Sequence, residues 1–193
     1  MTQESSDTEA TQQEFKDVME EARHVFTDKL KDYGASWRIL RPSSLTDQLY
    51  IKAKRIRSLE IAKKSWVGEG IRPEFIALIN YGIIGIIQLE KGFVDTVDIN
   101  IEDAQRLYDK HAHECQELMV RKNHDYGEAW RSMRVSSYTD LILTKIERIK
   151  EIENHDGTAK VSEGIVSNYM DIINYAVFGA IRLKVREPQV EKK

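Results

Sequence analysis

The sequence predicts an all-α protein, a helical bundle built from two pseudo-symmetric three-helix repeats. Three observations predict it. A stretch of sequence returns after 93 residues, and fixed-period self-similarity marks repeat architecture. Apolar residues recur at helical spacing along most of the chain, and no alternating strand pattern competes. Only three prolines and ten glycines occur in 193 residues, too few for a protein of many strands and turns.

The repeat comes first. The block Lys-x-x-Asp-Tyr-Gly-x-x-Trp-Arg at residues 29–38 returns at 122–131, and residues 29–60 match 122–153 at 15 of 32 positions. The identical pairs include Asp32/Asp125, Tyr33/Tyr126, Gly34/Gly127, Trp37/Trp130, Arg38/Arg131, Thr46/Thr139, Lys52/Lys145 and Arg55/Arg148. A one-residue insertion then shifts the offset to 94. Glu69-Gly70-Ile71 matches Glu163-Gly164-Ile165, and Ile79-Asn80-Tyr81 matches Ile173-Asn174-Tyr175.

Each element follows from local pattern. The first helix is expected over residues 12–30, where Phe15, Val18, Met19, Ala22, Phe26 and Leu30 share a face. Its counterpart starts after Asn100, a good N-cap, and buries Leu107, Cys115 and Met119. Both end at Asp-Tyr-Gly, where glycine can take the left-handed conformation that stops a helix. Trp37 and Trp130 belong to short helical segments. Second helices begin at the Ser-Ser pairs 43–44 and 136–137 and run to about residues 64 and 154. Third helices, about 73–91 and 167–185, are apolar on nearly every face and belong at the bundle centre. Pro73 suits a first turn, where its missing N–H costs nothing. One domain is expected over residues 12–185, with repeats at about 12–91 and 100–185. Disordered tails are expected at 1–11 and 186–193.

Composition excludes several classes. Twenty-nine Lys and Arg against 32 Asp and Glu leave a formal charge of −3, which argues against non-specific nucleic-acid binding. A single cysteine, Cys115, excludes an internal disulfide framework and a Cys-based zinc cluster. The polar, acidic N-terminus does not resemble a secretory or mitochondrial leader. The longest apolar run, residues 75–89, is interrupted by Asn80 and Gln88 and is too short for a bilayer. A cytoplasmic protein is expected, with a small-molecule partner and a homodimer as a possibility.

Candidate chemistry gathers in the second repeat. Glu114 and Glu117, at i and i+3, share one helix face. Asp171 lies in an apolar stripe of the third helix, one turn before Asn174, and is expensive to bury unpaired. Carboxylates converging from two helices are what Mg²⁺ requires, and Glu163 or Asp125 could add a ligand. The alternative is that the glutamates are solvated and Asp171 pairs with a buried Lys or Arg, Lys145 or Arg148 for instance. Lys145 and Arg148 share a face, and Arg131 and Arg134 flank the turn. Such cations hold phosphates or neutralise buried carboxylates. Tyr126 and Trp130 could stack a base, or simply pack. His124-Asp125, Glu21-x-x-His24 and the His113/Glu117 pair carry little weight as metal motifs, because no second copy or third ligand accompanies them.

The doubled Lys-x-x-Asp-Tyr-Gly-x-x-Trp-Arg block, the Lys-x-x-Arg-Ile after it and the closing Asp-x-x-Asn-Tyr resemble nucleotide modification associated domain 1, in tandem. More distantly, the chain is similar to MazG-like and all-α dUTPase nucleoside triphosphate pyrophosphatases. In that group Glu-x-x-Glu and a later Glu-x-x-Asp bind Mg²⁺, which holds the triphosphate for hydrolysis. Glu114-x-x-Glu117 fits the first motif, whereas Asn168-x-x-Asp171 has Asn where Glu belongs. The first repeat has His24 for Glu117, Ala77 for Asp171 and Glu74 for Asn168. The resemblance implies a Mg²⁺-dependent nucleotide-processing protein. Glu114, Glu117 and Asp171 would be catalytic, with Glu163 a further metal ligand. Lys122, Asp125, Tyr126, Trp130, Arg131, Lys145, Arg148 and Asn174 would hold the nucleotide. A nucleotide-binding module without turnover, or a purely structural helical protein, are the alternatives.

Overall fold

The computed structural model describes residues 3–62, 70–155 and 164–183, with side chains from residue 8. Among the described residues six helices run in order: α1 (Gln3–Tyr33), α2 (Pro42–Ala62), α3 (Arg72–Lys91), α4 (Ile101–Tyr126), α5 (Val135–Asn154) and α6 (Ile165–Arg182). A 3₁₀ turn follows α1 (Ser36–Ile39) and another follows α4 (Gly127–Ser132). No strand occurs among the described residues. No described helix is long and apolar enough to cross a membrane.

Local chemistry sets the boundaries. Asn100 Oδ1 accepts the Asp103 amide at 2.7 Å, the cap expected at the start of α4. Gly34 and Gly127 have φ of 61° and 60°, the left-handed stop expected after Asp-Tyr. Pro73 lies in the first turn of α3. One boundary differs. α1 starts at Gln3, not near residue 12, so most of the expected N-terminal tail is helix. The segment has no Gly or Pro to break it. Its support comes from far along the chain: fully buried Thr11 donates to Glu128 at 2.7 Å and accepts from Arg131 at 2.7 Å. The expected C-terminal tail lies outside the described residues.

The two repeats pack about a pseudo-two-fold axis. α3 and α6 run against each other at the centre, α2 packs on α5, and α1 on α4, so each helix meets its own counterpart. Hydrogen bonds repeat in the same sense. Thr46 donates to Glu153 at 2.8 Å, and Thr139 donates to Glu60 at 2.9 Å. Asn80 donates to the Ala22 carbonyl at 3.0 Å, and Asn174 to the Cys115 carbonyl at 3.2 Å. Packing obeys the axis too. A Cβ on Gly85 would meet the Tyr169 ring at 2.2 Å, and one on Gly179 would meet the Phe75 ring at 2.8 Å. Each central helix therefore seats the other's aromatic ring against bare backbone. The core is continuous across both halves, from Phe15, Phe26 and Leu30 on α1 through Ile83 and Ile87 on α3 to Ile173 and Val177 on α6.

Candidate functional site

Each repeat carries a cleft between its own three helices. In the first, a cavity of about 700 Å³ is lined by Lys29 and Tyr33 from α1, Trp37 from the 3₁₀ turn, Lys52 and Arg55 from α2, and Glu74, Ala77 and Asn80 from α3, among others. In the second, equivalent positions line two separate recesses. One, of about 360 Å³, holds Tyr126, Trp130 and Asn174. The other, of about 840 Å³ and more open, holds Lys145 and Arg148. Lys122 and Asp171 line both.

Asp171 explains this layout. Its side chain is 5% exposed and bonds Lys145 at 2.6 Å and Lys122, which crosses from α4. A carboxylate this deep needs such partners, so the cationic pairing anticipated from its apolar surroundings is what the fold supplies. The first repeat solves the same problem one turn earlier. Glu74, equally buried, lies 3.1 Å from Lys52 and 2.5 Å from Arg55. Asn168, in Glu74's place in the second repeat, instead bonds the Gly164 carbonyl at 3.2 Å.

The expected metal ligands do not come together. Glu114 accepts from His111 Nδ1 at 2.8 Å, in a cluster where Glu90 meets Lys110 at 2.8 Å and His111 Nε2 at 3.1 Å. The Lys110 hydrogen bond holds Glu90's carboxyl below its ordinary range, although burial opposes it. Glu117 is half exposed and lies 3.4 Å from His113. Among the described residues no three His, Cys, Asp or Glu side chains form a metal-holding group. Glu163 lies outside the described residues. With Asp171 neutralised by two lysines, the side chains present do not fit a preformed Mg²⁺ site.

The expected nucleotide contacts divide. Tyr126 is 77% exposed at its recess, and Lys122, Lys145 and Arg148 line the cationic recess. Asp125 is exposed and paired with His124 at 3.2 Å. Trp130 is not an open stacking platform. Phe178 stacks on it with centroids 4.4 Å apart, and the Arg131 guanidinium lies 4.3 Å above its ring. Arg131 itself is held by Glu14 at 2.6 Å and Glu128 at 2.7 Å. Burial works against its charge, but the two carboxylates outweigh it and raise its pKa. Asn174 is buried, and its Oδ1 has no hydrogen-bond partner among the described residues. The equivalent Asn80 oxygen accepts from Tyr108 at 2.8 Å, and Phe15 stands at the matching position on α1. Cys115 is a core residue, its thiol pushed up by burial.

The first-repeat cleft was missed by sequence reasoning as a site in its own right. Its signal was available: Lys29, Tyr33, Trp37, Lys52 and Arg55 all repeat as identities. Here the tryptophan is not sandwiched. Ile84 replaces Phe178, Arg38 turns away to Asp98 at 2.8 Å, and Phe26 approaches Trp37 only at a tilt, with centroids 6.4 Å apart. The Trp37 indole N–H is buried without a partner among the described residues, as is that of Trp130.

Fold and clefts define a class: a duplicated all-α protein with a cationic and aromatic cleft in each half. The chain belongs to the nucleotide modification associated domain 1 family, whose model matches residues 29–89 and again 122–183. Each match falls within one repeat, from the end of its first helix through its third. No curated protein and no solved structure matches the chain.

Proposed function

We propose that the protein binds a nucleotide, in the service of nucleotide modification or processing. The observation that carries this reading is the recurrence in both repeats of one constellation: Lys on the first helix, exposed Tyr and buried Trp after it, and Lys-x-x-cation on the second. Ammonium and guanidinium groups suit phosphate oxygens, and aromatic faces suit a base. A scaffold needing only stability has no use for a tyrosine 71% exposed beside a basic cavity, yet Tyr33 is such a residue and Tyr126 repeats it. The family's description supports the same class of ligand.

The test is calorimetric titration with ribo- and deoxyribonucleoside mono- and triphosphates, each with and without Mg²⁺, alongside assay of pyrophosphate release. Saturable binding of at least one nucleotide is expected. The absence of binding across the panel would leave a purely structural protein. A second reading, a Mg²⁺-dependent pyrophosphohydrolase, is favoured by Glu114 and Glu117 sharing one face of α4. Pyrophosphate release that requires Mg²⁺ and is lost in Glu114→Gln and Glu117→Gln would establish it. Binding without release would leave the module reading.

A further inference from the structure

The clefts differ in whether their cationic and aromatic ends communicate. In the second repeat the Lys122–Asp171 pair stands between them, lining the cationic recess on one side and the aromatic one on the other. In the first repeat Ala77 replaces Asp171, and one cavity carries Lys52 and Arg55 together with Tyr33 and Trp37. Lys29, the counterpart of Lys122, is exposed and has no carboxylate partner among the described residues.

Charge follows the same asymmetry. The second-repeat cationic recess sets Lys122, Lys145 and Arg148 against Glu147, Glu151 and Asp171, so its lining is balanced. The first-repeat cleft sets Lys29, Lys52 and Arg55 against Glu74, while Glu21 at its edge is neutralised by Arg72 at 2.6 Å. With Glu21 counted, the lining keeps one positive charge against none in the second repeat, the sign that suits a phosphate monoester of roughly −1.5 to −2 at neutral pH. A volume of about 700 Å³ lies within the roughly 300–1,000 Å³ usual for small-molecule sites.

We infer that the first repeat receives the ligand, a 5′-mononucleotide, and that Asp171 closes the second repeat by standing in for the ligand's phosphate. The inference rests on the nucleotide-binding reading and says where that binding occurs. By the pseudo-two-fold relation, Lys29 and Lys52 correspond to the lysines that reach Asp171. A phosphate over Ala77 takes the place of that carboxylate, and the base lies along Tyr33 and Trp37. The two tryptophans are about equally buried, but Phe178 and Arg131 cover both faces of Trp130, whereas Trp37 meets Phe26 only at a tilt.

The experiment is calorimetric titration of the full chain with dTMP, with unphosphorylated thymidine as control, for wild type and three variants. Wild type is expected to bind one dTMP per chain and thymidine at least tenfold more weakly. Ala77→Asp supplies the missing carboxylate and is expected to weaken dTMP at least tenfold while the melting temperature holds or rises. Lys29→Ala, on the exposed rim, is expected to weaken dTMP without disturbing the fold. Asp171→Ala removes the partition but leaves Trp130 covered by Phe178 and Arg131, and is expected to leave one dTMP per chain at wild-type affinity. Wild-type affinity in both folded Ala77→Asp and Lys29→Ala would overturn the inference, as would loss of binding confined to Asp171→Ala. Those results leave nucleotide binding itself standing. A wild-type chain that binds neither dTMP nor any other nucleotide refutes both readings.

Discussion

Identical residues in the two repeats have taken different work. Arg38 and Arg131 occupy the same position in the same block, yet Arg38 is 1% exposed and Arg131 is a third exposed. Arg38 bonds Asp98 at 2.8 Å, the Gly92 carbonyl at 2.6 Å and the Gln88 side chain, tying the first 3₁₀ turn to the end of α3. Gln88 returns the contact, donating to the carbonyls of Arg38 at 3.0 Å and Leu40 at 2.6 Å. Arg38→Ala leaves the Gln88 and Gly92 oxygens without their donor. Gln88 is fully buried, so its orphaned acceptor costs roughly 1–3 kcal/mol, while the exposed Gly92 carbonyl can turn to water; a loss of about 1–3 kcal/mol is expected in denaturant unfolding. Arg38→Lys should recover only part of it, because one ammonium cannot span three acceptors in a planar fork. Full recovery by lysine would mean that charge alone matters at this position.

At the scale of elements, the α2–α5 contact carries a reciprocal pair of half-buried carboxyls, Glu60 and Glu153. Burial raises the pKa of Glu60 and of Glu153 above the ordinary carboxylate range, and the hydroxyls of Thr139 and Thr46 offset this only in part. A raised folded-state pKa stabilises below the unfolded value and loses that contribution as pH rises through the folded value. Near pH 7 both glutamates therefore weigh against the fold. The double variant Glu60→Gln and Glu153→Gln keeps an acceptor for each threonine and removes both charges. Its melting temperature should exceed the wild type's at about pH 7, and the difference should shrink as pH falls towards about 4.5. A difference that stays constant across that range would remove burial of charge as its cause. The elements themselves were legible in the sequence, because glycine stops, the Asn100 cap and apolar periodicity are local signals. The start of α1 was not, since Thr11 gains its support from Glu128 and Arg131 more than a hundred residues away. Nor was the site. Spacing places Glu114 and Glu117 on one face of α4, but the rotation of that helix decides that Glu114 meets His111 and not Asp171. Whether Trp130 stacks a base or packs was open in the sequence, because Phe178, which covers it, comes from the opposite end of the repeat.

At the scale of the molecule, the axis makes each half a template for the other. The cross-repeat contacts are made by residues that both halves possess: a threonine and a glutamate between α2 and α5, an aromatic ring and a glycine between α3 and α6. Residues 1–97 alone contain Thr46, Glu60, Phe75 and Gly85, the full set for one side of an isologous interface and equally for its other side. Separated from the second half, that fragment exposes the apolar face of α3, including Ile83 and Ile87, which are fully buried in the intact chain. It is expected to form a two-fold homodimer in which α3 packs on a second α3, with Thr46 of each copy bonding Glu60 of the other. Light scattering should give twice the fragment mass. Melting should depend on concentration, because folding and association are then one equilibrium. Gly85→Ala in the fragment meets the ring of the second copy's Phe75 twice per dimer and should shift it towards unfolded monomer, at a cost of about 1–3 kcal/mol per contact. A folded monomer, or a dimer indifferent to Gly85→Ala, would show that α3 finds its cover elsewhere than on the face α6 occupies.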